Sequence, residues 1–142
     1  MKEFSNRWKR SGRSGKQRKY RLNAPLNVRR KFMRAHLSKE LKEKHGKRSF
    51  GLKAGDKVKI IRGQFKGKEG RIEKVLLKKS KIQVSGAELV KREGSKSFYP
   101  IDPSNVIITH LNLDDKKRES ALKRKGSAKE KAAEKQDQEV KK

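Results

Sequence analysis

The chain has no cysteine, so disulfides and thiolate metal ligands are both excluded. It has few acids, 16 Asp and Glu against 43 Lys and Arg, for a formal net charge of +27. It is also short of apolar residues, at 30 % where globular domains carry about 45–50 %. A chain so poor in apolar side chains cannot bury all of itself. No apolar run approaches the roughly 18 residues that span a bilayer. The N-terminus has no apolar segment of a secretory signal, and the cytoplasm is the expected compartment. The three histidines, His36, His45 and His110, lack ligand spacing, so no metal site is expected. Catalysis needs a nucleophile with a base, paired carboxylates or a metal. Glu69 and Glu73 lie four apart among lysines and read as ion-pair partners. No enzymatic activity, cofactor or small-molecule substrate is expected.

What is present is positive charge, unevenly spread. Residues 1–50 carry a net +15, residues 51–113 a net +8 and residues 114–142 a net +4. Leu, Ile, Val and Phe number 20 between Leu52 and Leu113, with 8 before and 2 after. Only the middle can build a core. The reading is one small, mainly β module with basic extensions. Its boundaries are a disordered basic arm (1–22), short helices (23–50), the β module (51–113) and a charged helical or disordered tail (114–142). A polyanion would neutralise the self-repulsion, and nucleic acid, bound with counterion release, fits.

The middle reads as short strands over Lys57–Arg62, Arg71–Leu77, Lys81–Val84, Glu88–Arg92, Ser97–Ile101 and Val106–Leu111. Asp102-Pro103-Ser104-Asn105 is a turn signal. Short strands at this spacing in about 60 residues suggest a small closed barrel. Asn23-Ala24-Pro25 opens a helix to about Ala35, with Val28 and Phe32 on its packing side. Ser38 caps a second helix, Lys39–Lys44, stopped near Gly46. Asp114-Asp115 starts a third, through Lys125 to Gly126.

Candidate nucleic-acid-binding residues follow from charge and from the lack of a local core. The arm supplies Arg7, Lys9, Arg10, Arg13, Lys16, Arg18, Lys19 and Arg21. Trp8 and Tyr20 stand in that arm without a core, and stacking on bases or riboses is the preferred reading. Arg29, Arg30 and Arg34 make one side of the first helix cationic. The hairpin tip supplies Arg62, Gly63, Lys66, Gly67, Lys68 and Arg71. Its glycines, Gly70 included, read either as plain turn residues or as points of close backbone approach to phosphates. Val28, Phe32 and Met33 read as packing residues.

The run GDKVKIIRGQFKGKEGRIEKV resembles a KOW motif, the RNA-associated hairpin of SH3-like barrels. With NAPLNVRRKFMRAHLSKELKEKHGKRS before it and FYPIDPSNVIITHLNLDDKKR after it, the chain resembles one family over about Lys16 to Arg118. That is the universal family twenty-four of large-subunit ribosomal proteins, archaeal and eukaryotic type, called twenty-six in older eukaryotic naming; the phrase LNLDDKKR reads as archaeal. Asp102 departs from the pattern, in which histidine often precedes Pro-Ser. The resemblance implies an SH3-like (KOW) barrel and a structural constituent of the large subunit. It implies binding to the 5′ region of large-subunit ribosomal RNA early in assembly, near the peptide exit tunnel, as a monomer beside neighbouring ribosomal proteins. The rival readings are a KOW-containing transcription-associated protein, which needs a second domain, and a histone-like condensing protein, which needs no such motifs.

Overall fold

The computed structural model describes residues 4–124. Alternation of apolar and polar residues sets the strands. In β3 (Lys57–Ile60) the lysines face out while Val58 and Ile60 are buried. β8 (Val106–His110) buries Val106 and Ile108. β5 (Lys81–Val84) buries Ile82 and Val84, and the long β4 (Glu69–Leu76) buries Ile72. Met33, Phe65, Ala87, Ile101, Leu111 and Leu122 close the same core.

β1 (Arg34–Leu37) and β2 (Ser49–Gly51) complete a six-stranded sheet in the order β2-β1-β8-β3-β4-β5. Every pairing is antiparallel except β1 with β8. Val58 stands opposite Ile108 and Ile60 opposite Val106. β6 (Glu88–Val90) and β7 (Lys96–Phe98) form a separate two-stranded sheet. A bridge between Ile82 and Ile101 brings the chain back from it to β5.

Two expectations are corrected. The sheet is not a closed barrel: β2 and β5 end it and do not pair with each other. Two of the six expected core strands, β6 and β7, pair with one another instead of closing the gap. The helix expected to reach Ala35 ends earlier: α2 spans Leu26–Phe32 and strand β1 follows at once. The reason is a change of period. Met33, Ala35 and Leu37 are buried while Arg34 and His36 are exposed, a two-residue alternation that pairs beside β8. The arm, expected to be disordered alone and ordered on a partner, carries a 3-10 turn (Asn6–Arg10) and α1 (Ser14–Asn23) in this structure. The Gln17 side-chain amide ties them, donating to the carbonyls of Trp8 (3.2 Å), Lys9 (2.9 Å) and Ser11 (2.8 Å).

Other signals hold. α3 (Lys39–His45) is capped by Ser38 Oγ, which accepts from Leu41 N at 3.3 Å, and ends at Gly46 with φ +62°. α4 (Lys116–Lys123) is capped by Asp115, whose carboxylate accepts from the amides of Lys117 (2.9 Å) and Arg118 (3.4 Å). The expected end of that helix and the rest of the tail, residues 125–142, lie outside the described residues.

Candidate nucleic-acid interface

The hairpin tip between β3 and β4 is built on its backbone. Gly67 N donates to Ile60 O (2.8 Å), Lys66 N to Gly63 O (3.1 Å) and Ile60 N to Lys68 O (2.9 Å). Gly63 and Gly67 have φ of +96° and +88°, and a Cβ at either would meet nothing within 4 Å. Both are therefore turn glycines whose outer side is open to a ligand backbone. Gly70 is different, since a Cβ there would lie 2.2 Å from Ser85 O. It lets β4 approach the residue after β5.

Phe65 anchors the tip. Its ring is buried, packs on Tyr99 with centroids 5.4 Å apart and carries the Lys68 ammonium 5.3 Å from its centroid. Lys68 also reaches Gly86 O at 3.4 Å. Arg62, Lys66 and Arg71 are exposed. Glu69 pairs with Lys59 at 3.1 Å, as its sequence neighbours suggest.

The arm makes a second cationic surface. Arg7, Lys9 and Arg10 join Lys31 around a cleft of about 500 Å³, with Asn6, Tyr20 and Val28 completing the wall. Lys31, on α2 with Val28, lines the same cleft, α2 being held to the arm by the Tyr20–Phe32 ring contact. Arg18 and Arg21 share one face of α1 with Ser14 and Gln17 and line a second shallow cleft. Arg13 precedes α1, and Lys16 and Lys19 are on it; all three are exposed. Arg30 and Arg34 both line a third cleft, with Lys31, Lys53 and Lys117, although α2 ends at Phe32 and Arg34 opens β1.

The two rings expected to stack on RNA differ in exposure. Tyr20 is 7 % exposed, its ring between Phe4 (5.2 Å) and Phe32 (5.9 Å). It holds the arm to α2 and leaves little of its surface exposed. Trp8 is half-buried in the 3-10 turn. Arg29 spends its guanidinium on backbone: Nε donates to Ala24 O (2.8 Å), one terminal nitrogen to Lys78 O (3.3 Å) and the other to Leu22 O. That locks the α1–α2 turn against the loop after β4.

The sequence reading missed the buried ion pair Asp56–Arg118. The two terminal nitrogens of Arg118 reach the carboxylate oxygens at 2.8 and 2.7 Å. They also donate to Asn112 O (2.6 Å) and Gly51 O (3.0 Å), the latter on edge strand β2. Asp56 accepts the amides of Lys53 (2.8 Å) and Asn112 (2.9 Å). Asp56 stands in GDKV and Arg118 in DDKKR, so both lie in the recognised motifs. The usable signal was a lone acid heading an apolar strand. Nearby, burial chiefly, then Arg124 and Arg34, lowers the Lys47 pKa. The Lys47 ammonium donates to Ala121 O and sits 5.8 Å from the Phe50 centroid. Asp102 pairs with Lys81 at 2.7 Å.

Among the described residues, no group of three or more His, Asp or Glu is placed to hold a metal ion. No helix among them is long and apolar enough to cross a membrane. A small β module with open cationic turns and arms, with five of its acids held in internal ion pairs, belongs to the class of basic polyanion-binding proteins.

Comparison with known proteins gives the family. Residues 11–125 match the family of ribosomal proteins L26 of eukaryotes and their archaeal counterparts, numbered twenty-four. The chain is 48 % identical over 110 residues to the large ribosomal subunit protein uL24 of Methanosphaera stadtmanae, covering 78 % of this chain and 94 % of that relative. It is 49 % identical over 109 residues to the uL24 of Methanosarcina barkeri, covering 77 % and 94 %. The chain belongs to this ribosomal protein family, in its archaeal type, and is structural rather than enzymatic.

Proposed function

We propose that this protein, a structural constituent of the large subunit of the cytoplasmic ribosome, binds the 5′ region of large-subunit ribosomal RNA early in assembly, near the peptide exit tunnel. It sits there as one copy among neighbouring ribosomal proteins. Its six-stranded sheet serves as an open form of the SH3-like (KOW) module.

The observation that carries this reading is the tip from Arg62 to Lys68. Two open glycine conformations, with exposed Arg62 and Lys66, present unencumbered backbone and charge together. Phe65 fixes that arrangement to the core. The cleft of Arg7, Lys9, Arg10 and Lys31 supplies a second grip on phosphates. The remaining candidates Arg13, Lys16, Arg18, Lys19, Arg21, Arg30, Arg34 and Arg71 add charge around these two centres.

Binding of the full chain to transcripts of the 5′ and 3′ parts of the RNA, across a salt series, tests the reading. The 5′ transcript should bind more tightly, with a steep fall of affinity with salt. Equal affinity for both transcripts would refute the site assignment, and a flat salt dependence would refute the phosphate grip.

A further inference from the structure

The β6–β7 hairpin does not share the character of the rest of the molecule. Among the described residues, four of the seven exposed large apolar side chains lie in it or just after it: Leu89 (42 % exposed), Val90 (68 %), Phe98 (38 %) and Tyr99 (38 %). From Glu88 to Tyr99 there are three basic and two acidic residues. That near-balance stands in a chain of net charge +27.

The register sorts these side chains. Glu88 faces Phe98, Leu89 faces Ser97 and Val90 faces Lys96. Residues directly opposed across an antiparallel pair share a face. One face therefore carries Val90 and Phe98 on one diagonal, with Glu88 and Lys96 on the other. The hairpin's root is held: Tyr99 N donates to Ala87 O at 2.8 Å, and the Tyr99 ring packs on Phe65. The face is aimed, beside the cationic tip yet chemically unlike it.

RNA is a poor occupant for this face. A phosphate reaching Lys96 also meets Glu88, and a local surplus of one charge releases few counterions. Phe98 does offer a ring, but the Glu88 carboxylate stands directly opposite it and opposes an approaching phosphate, and Val90, the most exposed of the apolar group, offers no ring on which a base could stack. A protein surface suits it better: apolar contact at the centre, with one charge of each sign at the rim.

We infer that the Glu88–Val90–Lys96–Phe98 face docks a neighbouring protein of the ribosomal particle. The partner presents an apolar strip to Val90 and Phe98, a carboxylate to Lys96 and a cation to Glu88. This rests on the ribosomal reading proposed above.

Photo-cross-linking in purified large subunits tests it. A benzophenone amino acid replaces Val90 in one full-length variant and Lys66 in a second. The Val90 probe should give an adduct to a peptide of one identified large-subunit protein, and the Lys66 probe an adduct to RNA. A Val90 adduct to RNA, or no Val90 adduct while the Lys66 probe labels RNA, overturns the inference and leaves the ribosomal reading intact. Absence of both variants from the subunits, with the parent also absent, overturns both. The companion variant Val90→Asp should cut the protein adduct of a probe at Phe98 by tenfold or more. It should leave affinity for the 5′ transcript within twofold. An adduct that survives Val90→Asp in full also overturns the inference.

Discussion

Removing Arg118 should unfold much of what a single surface-directed change would not. Arg118→Met deletes two hydrogen bonds to the fully buried Asp56 and two to the carbonyls of Asn112 and Gly51. Asp56 keeps the amides of Lys53 and Asn112 but loses its only counterion among the described ion pairs. Breaking a buried pair on one side costs about 3–5 kcal/mol, because the remaining charge is buried without compensation. Small domains hold only about 5–15 kcal/mol in total. At roughly 4–8 °C per kcal/mol for a domain of this size, Tm should fall by about 12–40 °C. Lys123→Gln on the same helix is the internal comparison. It breaks the exposed i,i+4 pair with Glu119 (2.6 Å) and should cost at most about 0.5 kcal/mol. Arg118→Lys keeps charge without the planar fork and should fall between the two. The measurement is urea denaturation of the full chain by circular dichroism at fixed salt, with thermal melts beside it. If Arg118→Met loses no more stability than Lys123→Gln, the pair does not fasten α4 and β2 to the sheet.

Lys66→Glu with Lys68→Glu should leave the melt near that of the parent. It should reduce the slope of log affinity against log salt by roughly one for each phosphate that is no longer neutralised; an unchanged slope in filter binding would mean that both lysines face water. Ile60→Ala or Ile108→Ala removes methylenes from side chains at most 1 % exposed. Either should cost about 2–5 kcal/mol in urea melts, and parent-like melts for both would refute the register. Gly70→Ala drives a methyl against Ser85 O and Val84 Cγ1 and should cost about 1–3 kcal/mol; a neutral result would show that β4 and the turn after β5 separate freely. His45 has its pKa lowered below 6.5, by burial first and then by Lys44 and Lys47. Its contribution to stability is therefore complete above 6.5 and lost as pH falls through the folded value. NMR titration should place its midpoint below 6.5, and Lys44→Gln should raise it; a midpoint at or above 6.5 in the parent would contradict that environment.

The legible parts of the fold were those where one local signal sufficed. Alternation gave β3, β5 and β8, and Ser38 with Gly46 bounded α3 to within a residue. The failures came where two signals overlapped or where partners lay far apart. Val28 and Phe32 set a helical period that the residues after them abandon. Met33, Ala35 and Leu37 follow a two-residue period, but with only four residues in β1 the longer pattern masked it. Barrel closure depends on which strands meet in space. Nothing in Glu88–Val90 or Lys96–Phe98 announces that they pair with each other alone. Tyr20 looked like an isolated ring because Phe4 and Phe32, its neighbours in space, are 16 and 12 residues away in the chain. Asp56 and Arg118 are separated by 62 residues, and each seemed one more charge in a charged motif.

The same difficulty bears on the site, and its resolution is physical. In a chain with 43 basic residues, positive charge alone does not mark a contact with phosphate. What distinguishes the cations is whether the fold has already used their donors. Arg29 holds three carbonyls, Arg118 a carboxylate and two carbonyls, and Lys47 a helix carbonyl. Lys59 pairs with Glu69 across β3 and β4, and Lys81 with Asp102. These residues would lose protein hydrogen bonds by turning to RNA, and a buried group left unsatisfied costs more than a new exposed contact returns. Arg7, Lys9, Arg10, Lys31, Arg62 and Lys66 line open clefts or an open turn instead. They can neutralise phosphates without unmaking the fold. On the proposed reading, the charge free to meet RNA is the part of +27 that the fold's own hydrogen bonds and ion pairs do not use, and the tip and arm are where that charge stays exposed.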